Sequence, residues 1–200
     1  MADFFIGRNQ GKYKIIINFS LIDIFIDELS PYAKFYGVTF QESSDKVFAS
    51  VEKNSSKANG VFLKNKDLAL SISIKNEAQN ITSSITNEEW IYANMLLGNF
   101  YLSLNDIGKY RPLEINYDKY RVDFDKGCFR GQEIIARMKY LGVDRRKFIT
   151  IISNKEILSE KKLRILGDKL KYKNFYVYHC SINNDYMSEY KKNNPHVMLV

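Results

Sequence analysis

Residues 126–137 read KGCFRGQEIIAR and bring a thiol, several cations and two glycines together within one short stretch. The thiol of Cys128 lies beside two cations and just before a predicted helix. Neighbouring cations and the N-terminus of a helix both favour a thiolate over a thiol. Gly127 and Gly131 allow backbone conformations and close approaches that are closed to other residues. The stretch therefore predicts a tight loop that presents a functional thiol.

A short helix is predicted over residues 131–141, ending at Gly142. Its apolar residues recur at spacings of three and four, which places them on one face of the helix. These residues are Ile134, Ile135, Met138 and Leu141. Gln132 and Glu133 lie in the first turn, where their polar groups point towards the Cys128 loop. Spacing alone leaves an alternative open, in which Cys128 is a buried packing residue at a turn and the charges are solvated.

Upstream of this loop the sequence alternates between strand and helix patterns. A buried strand is predicted over residues 12–19, and a helix with apolar positions between Leu21 and Ala33 follows it and ends at Gly37. Residues 38–41 are predicted to return as a strand. Three further strands are predicted from alternation, separated by polar loops at 54–59 and 76–85. These strands are residues 46–52, 60–64 and 68–74.

A second helix is predicted to begin at a capping box formed by Thr86 and Glu89, and to end at Gly98. It carries Trp90, the only tryptophan of the chain. A lone tryptophan on such a helix is more often a core residue than a ligand contact, and that alternative stays open. Residues 106–125 predict a structured covering segment that leads into the Cys128 loop.

The remaining residues predict a small β-rich unit. Residues 147–152, 163–166 and 175–182 show strand patterns, and residues 186–200 are expected to dock loosely or to stay mobile. Helix and strand patterns both occur along the chain, and we expect an α+β fold.

The composition is that of a globular protein without a membrane-spanning segment. The hydrophobic fraction of 45% and charged fraction of 26% are typical of a globular domain, and no apolar run is long enough to cross a bilayer. The N-terminus lacks the features of a leader peptide, so we expect a cytoplasmic protein without a membrane partner. Cys128 and Cys180 are far apart and have no zinc-ligand spacing, so neither a disulfide framework nor a protein-only metal site is expected.

The net charge of +7 is unevenly distributed. Residues 1–100 hold 10 basic and 11 acidic groups, whereas residues 101–200 hold 20 basic and 12 acidic groups. A basic half indicates an anionic partner such as RNA or a polyglutamate tail. Lys outnumbers Arg 22 to 8, a pattern that base-composition bias produces equally well.

The motif resembles the signature of the YgfZ-like family of folate-binding proteins, relatives of the glycine-cleavage T-protein. The resemblance lies in KGC, an aromatic residue, any residue, GQE and the pair Ala136-Arg137, and it extends over about residues 5–150. Other residues that resemble the family are Trp90, Gly98, Arg111, Pro112, Phe124, Gly142, Arg145 and Arg146.

This resemblance implies a T-protein-like fold with a central pocket for tetrahydrofolate or a folate derivative. It implies a role in maintaining iron–sulfur enzymes such as tRNA methylthiotransferases, as an accessory factor rather than as an enzyme with turnover. Cys128 is then the functional thiol with Lys126 beside it. The residues implied to bind folate are Trp90, Gly127, Gly131, Gln132, Glu133 and Arg137.

Compared with the family pattern, we expect the chain to be an N-terminally shortened member. We expect a folate-binding domain over residues 1–142 that carries the motif, and a small β-rich, reduced barrel-like domain over residues 143–200. A second chain is an expected way of completing the fold.

Two other functions remain open from the sequence. A folate-dependent aminomethyl or one-carbon transferase would use a positioned carboxylate, for which Asp118, Asp123 and Asp125 are the nearby candidates. An RNA-binding module, or a contact with tRNA, would use a cluster of cations with Tyr140 for stacking. The cations of this cluster are Arg137, Lys139, Arg145, Arg146 and Lys147.

Overall fold

A computed structural model describes residues 3–9, 11–53, 61–65, 67–75, 84–128, 131–142 and 145–200. The predicted loop at residues 54–59 and most of that at 76–85 lie outside this set. The described residues form helices and several sheets, in keeping with the predicted α+β class.

The chain divides into two compact units. The first comprises Met1–Phe48, Ser73–Asn80 and Tyr101–Lys109, and the second comprises Ala49–Ile72, Ile81–Phe100 and Tyr110–Val200. The boundary expected near residue 142 stays a prediction.

The first unit contains a β-hairpin and a helix. Strand β1 (Phe4–Asn9) pairs antiparallel with strand β2 (Lys12–Ile17), and Gly11 in the turn adopts a φ of 78°. Helix α1 (Ile22–Phe35) follows a 3-10 turn at Phe19–Leu21. Phe25 of α1 is buried and meets the ring of Phe4 edge-on at 5.0 Å, so the helix and the hairpin share a core.

The strand predicted at residues 38–41 is wrong, because these residues form coil beyond the end of α1. Gly37 adopts a φ of 66°, which reverses the chain after the helix. The Val38 N–H then donates to the Ala33 carbonyl at 2.8 Å, so this part of the backbone is satisfied by the helix end. Phe40 packs edge-on against Phe25 with ring centroids 6.0 Å apart.

A three-stranded sheet contains strands β3 (Lys46–Lys53), β4 (Val61–Lys64) and β5 (Leu68–Lys75), with β5 in the middle. All three were predicted. β4 and β5 are antiparallel, and the side chain of Asn65 accepts hydrogen bonds from the backbone of the turn between them.

Helix α2 (Asn87–Leu96) begins at the predicted capping box, since the Thr86 hydroxyl accepts from the Glu89 N–H at 3.1 Å and the Glu89 carboxylate accepts from the Thr86 N–H at 2.8 Å. It ends before Gly98, whose φ of 67° favours glycine. The helix and the three-stranded sheet share a hydrophobic cluster. Its buried members are Leu63, Leu70, Ala93 and Leu97.

The C-terminal part is an antiparallel sheet in the order β7-β8-β6-β9. Its strands are β6 (Arg146–Ser153), β7 (Leu163–Tyr172), β8 (Phe175–Asn183) and β9 (Val197–Leu199). Helix α5 (Met187–Asn193) lies between β8 and β9 in sequence. One cluster of fully or nearly buried side chains, including Ile151, Leu163 and Tyr178, forms the core of this sheet.

The expectation that residues 186–200 dock loosely is wrong. This segment forms α5 and β9, and Tyr190 and Val197 are buried in the core of the C-terminal sheet. Val200 exchanges backbone hydrogen bonds of 2.8 and 3.1 Å with Thr150 of β6. The alternating apolar residues at the end of the chain therefore serve as an edge strand.

Two short helices lie on either side of the Cys128 loop. Helix α3 (Tyr117–Tyr120) precedes it, and helix α4 (Gln132–Ala136) follows and continues into a π-helical turn at Arg137–Leu141. In the described part of the chain, every helix falls short of the length and hydrophobicity needed to cross a membrane.

Candidate functional site

Cys128 is exposed to solvent, at the end of the loop that follows α3. The carboxylate of Asp123 shapes the start of this loop by accepting a hydrogen bond from the Asp125 N–H at 2.9 Å. Phe129 and Arg130, the next two residues of the motif, lie outside the described residues. Because Cys128 is exposed, the alternative in which it is a buried packing residue is wrong.

The other cysteine lies in a different environment. Cys180 is fully buried in β8 within the core of the C-terminal sheet. Burial raises the pKa of the Cys180 thiol to about 12, because a thiolate is poorly solvated there. Cys128 is thus the one thiol of the chain that a reagent or partner can reach.

The two glycines of the motif both have open surroundings among the described residues but differ in backbone conformation. Gly131 adopts a φ of 86°, the left-handed region, and stands at the N-cap of α4 without a side chain to cap the helix. At Gly127 an added Cβ would meet no atom within 4 Å, so the space around it is open among the described residues.

Helix α4 and the π turn expose most of their side chains. Gln132 is half-buried, whereas Glu133 and Arg137 are exposed. Ile134 and Leu141, on the predicted apolar face, expose 57% and 79% of their surface. Gly142 ends the turn where a Cβ would lie 2.3 Å from the Met138 carbonyl oxygen, so a larger residue does not fit this backbone.

A set of contacts around Lys139 closes the motif loop at its base. The Lys139 ammonium lies 3.5 Å from the Asp118 carboxylate and 5.1 Å from the centre of the Phe124 ring. Phe124 also meets Tyr140 edge-on at 6.3 Å. Since Asp118 and Phe124 precede the motif and Lys139 and Tyr140 follow it, these contacts hold the two ends of the Cys128 loop together.

These contacts also bear on the residues proposed for the other functions. Asp118 is engaged by Lys139, and Asp123 holds the backbone of its own loop. In the predicted basic cluster, Arg146 donates to the backbone carbonyls of Ser181 and Lys161 at 3.3 and 2.9 Å, so it supports the sheet. Arg145 and Lys147 are exposed.

Trp90 belongs to the hydrophobic cluster between α2 and the three-stranded sheet. It is partly buried and packs there together with Val51 and Leu68. This packing accounts for a large apolar side chain at that position on α2, and the role of Trp90 in a folate pocket stays a prediction.

A buried polar network, which the sequence analysis missed, surrounds the end of α2. The Asn94 side chain donates to the Trp90 carbonyl at 2.8 Å and accepts from the Asn99 side chain at 2.7 Å. Asn99 in turn accepts from the guanidinium of Arg121 at 3.0 Å. The signal in the sequence is a pair of asparagines, Asn94 among the apolar residues of α2 and Asn99 directly after Gly98. This pair does not specify the hydrogen-bond partners.

The same end of α2 is connected to the C-terminal sheet through Thr150 and His179. The Thr150 hydroxyl donates to the Met95 carbonyl at 2.7 Å, and its oxygen lies 3.3 Å from Nδ1 of His179. The imidazole packs between Phe148 and Phe100, with ring centroids 4.9 and 5.7 Å away. Burial lowers the pKa of His179 to about 4, and the Asn99 backbone opposes this lowering only in part.

Among the described residues, no three His, Cys, Asp or Glu side chains lie close enough together to hold a metal ion.

Comparison with known proteins confirms the resemblance seen in the sequence, although over short segments. The chain is 35% identical over 68 residues to the tRNA-modifying protein YgfZ of Colwellia psychrerythraea, covering 34% of this chain and 21% of that protein. It is 49% identical over 43 residues to a mitochondrial iron-sulfur cluster assembly factor IBA57 homolog of Eremothecium gossypii, covering 20% and 9%. A corresponding homolog of Candida glabrata is 40% identical over 63 residues, covering 30% and 12%.

These matched segments span at most about a fifth of the length of the relatives. No family model matches the chain.

Proposed function

From this similarity to the YgfZ/IBA57 folate-binding family, we propose that the chain is a folate-binding accessory protein that supports iron–sulfur enzymes and tRNA modification. Its relatives are named for iron-sulfur cluster assembly and for tRNA modification, and these names support a role in such processes. The proposal includes the T-protein-like fold, with residues 1–142 as the folate-binding domain and 143–200 as its C-terminal unit.

The observation that carries the proposal is the exposed thiol of Cys128 on a loop whose ends are held together by Lys139. A large client enzyme reaches an exposed thiol without unfolding the chain. Lys126, two residues before Cys128, is the cation that we assign to the same site. Cys180 is buried in the sheet and is excluded from this role.

Folate or a derivative such as tetrahydrofolate is the proposed cofactor. In this proposal the flat pterin ring stacks on the partly buried indole of Trp90. The carboxylates of the glutamate tail pair with the exposed side chain of Arg137. Glu133 and Gln132 offer acceptors and donors for pterin N–H and C=O groups. The left-handed turn at Gly131 and the open space at Gly127 leave room for a ligand beside the backbone.

The proposed partner is an iron–sulfur client enzyme such as a tRNA methylthiotransferase, with a contact to tRNA and to a second protein chain. We place the protein in the cytoplasm. The role is that of an accessory factor in which Cys128 handles a sulfur, iron or one-carbon species for the client.

The test is complementation in a bacterial host that lacks its own family member, with tRNA methylthiolation measured by mass spectrometry of tRNA nucleosides. Cys128→Ala should abolish methylthiolation without lowering the melting temperature, because the side chain is exposed. Cys180→Ala is the matched control: it removes a buried thiol, so it should lower the melting temperature and keep methylthiolation. Full methylthiolation by the folded Cys128→Ala variant would refute the proposed role of this thiol.

A further inference from the structure

The hairpin formed by β7 and β8 is strongly basic along its outer strand. Residues 161–173 contain six Lys or Arg and one Asp, which gives this segment a formal charge of +5. β7 is the edge strand of the C-terminal sheet, so its outer side has no neighbouring strand in the described structure. Tyr110 covers this edge at Gly167, whose N–H donates to the Tyr110 hydroxyl at 2.9 Å, but the six basic residues themselves are exposed.

Aromatic rings alternate with these cations. Lys169 and Lys171 both lie over the ring of Tyr176, at 5.5 and 5.9 Å from its centre. Lys171 and Tyr176 are direct cross-strand partners, so they occupy the same face of the hairpin. Lys169 also forms an ion pair with the Glu156 carboxylate, which neutralises its charge locally. The positive charge of Lys171, on the same face, is neutralised less.

The tip of the hairpin has a cation where a glycine or an asparagine is usual. Lys173 adopts a φ of 54°, the left-handed region that is disfavoured for a long side chain. Its ammonium lies 5.2 Å from the centre of the Tyr172 ring. A residue that is unfavourable for the local backbone indicates that its side chain serves another purpose.

The tip also carries an exposed aromatic platform. Phe175, the cross-strand partner of Tyr172, exposes 47% of its surface. Tyr172 is held in place by Tyr92 of α2, whose ring stacks on it at 4.3 Å with an angle of 17° between the planes. Because side chains alternate along a strand, Tyr172 and Phe175 lie on the face of the hairpin opposite to Lys171 and Tyr176. On that face Tyr172 is fixed by packing, and Phe175 is open to a ligand.

We propose that the end of the β7–β8 hairpin is a binding site for single-stranded RNA. A base stacks on Phe175 and Lys173 contacts the adjacent phosphate, whereas Lys171, on the opposite face, contacts a phosphate where the strand passes round the end of the hairpin. Single-strand binding typically combines cations that follow the backbone with aromatic side chains that stack on the bases. Polyanions without bases would use the lysines and leave the exposed ring unused, and the stacked bases of a duplex would be out of its reach.

The inference stands apart from the proposed role of Cys128, because it depends on different residues. The basic cluster expected from the sequence lies elsewhere, at residues 137–147, and Arg146 of that cluster supports the sheet. A failure of RNA binding would leave the complementation result untouched, and the reverse also holds.

The test is fluorescence anisotropy of a labelled oligouridylate of about twelve nucleotides with the full chain, between about 50 and 200 mM salt. The double variant K171Q/K173Q should lower the slope of log affinity against log salt by about 1.4, as two lost phosphate contacts require. The matched control K191Q/K192Q removes two exposed lysines of α5 and should leave most of the slope in place.

Three single variants separate the contributions of base stacking and of folding from that of charge. Phe175→Ser should weaken binding about tenfold, whereas Phe175→Tyr should retain it. Lys173→Gly should weaken binding and at the same time raise the melting temperature, because glycine accepts the left-handed backbone. A loss of binding in a stabilised variant cannot be attributed to misfolding.

Several results would overturn the proposal. One is an equal loss of slope in both double variants, which would indicate net charge alone. Another is equal competition by inorganic polyphosphate or by duplex RNA, which would show that bases are not read. A third is unchanged RNA affinity in K171Q/K173Q together with self-association, which would mean that the lysines only protect the sheet edge.

Discussion

The buried imidazole of His179 should make the folding of this protein sensitive to mild acid. His179 exposes 5% of its surface and lies between the rings of Phe148 and Phe100. Nδ1 of His179 lies 3.3 Å from the oxygen of the Thr150 hydroxyl, whose hydrogen is used on the Met95 carbonyl, and the Asn99 backbone also interacts with the imidazole. Among the described residues, Nε2 has no hydrogen-bond partner of regular geometry. A second proton would therefore place a charge in an apolar site.

The size of the effect follows from the pKa of His179, which burial lowers from 6.5 to about 4 in the folded state. Above pH 6.5 neither the folded nor the unfolded chain binds this proton, and stability is unaffected. As the pH falls below 6.5 the unfolded chain binds the proton and the folded chain does not, so stability is lost until about pH 4. Each pH unit in that window costs about 1.4 kcal/mol, which gives a loss of about 2 kcal/mol between pH 7 and pH 5.

Urea unfolding at a series of pH values measures this loss as a fall in the free energy of unfolding. His179→Gln should flatten the dependence between pH 6.5 and pH 4, whatever its effect on stability at pH 7. His196→Gln is the control, because His196 is partly exposed before β9 and its replacement should keep the dependence. An unchanged dependence in His179→Gln would refute the assignment to this residue.

Two further predictions concern the cofactor and α2. Tetrahydrofolate should quench the fluorescence of Trp90, the only tryptophan, in a saturable way at micromolar ligand, and Trp90→Ala should lose the binding seen by calorimetry; heat of binding that persists in Trp90→Ala would exclude Trp90 from the site. Thr86→Ala removes the hydroxyl that accepts from the Glu89 N–H and should cost about 1 kcal/mol in thermal unfolding, whereas Thr86→Ser should restore most of it; equal stability of the two variants would contradict the capping role.

Most regular elements of this fold could be predicted because their signals are local. The alternation in β5, the capping box at Thr86 and the glycine stop at Gly37 all depend on residues within one element. The failures involve partners that are distant in sequence. Val197–Leu199 becomes a strand because β6 offers an edge for it, and residues 38–41 remain coil because the end of α1 satisfies the backbone at Val38.

The candidate site divides in the same way. The thiol, the glycines and the helix start could be predicted from one motif, and the exposure of Cys128 agrees with them. The closure of the loop by Lys139 could not, because it joins Asp118 and Lys139 across 21 residues. The network of Asn94, Asn99 and Arg121 was also missed, since polar side chains in such a segment are equally compatible with an exposed surface.

The best-packed core and the exposed thiol are located in different parts of this chain. The C-terminal sheet buries its core residues almost completely, with Ile151, Leu163 and Ile182 at 0% exposure. The Cys128 loop is held at its base by one ion pair between Lys139 and Asp118, with side chains 42% and 22% exposed, together with contacts to Phe124. An exposed ion pair of this kind contributes less than about 1 kcal/mol. Breaking this ion pair therefore costs little free energy compared with unfolding the buried core of the sheet.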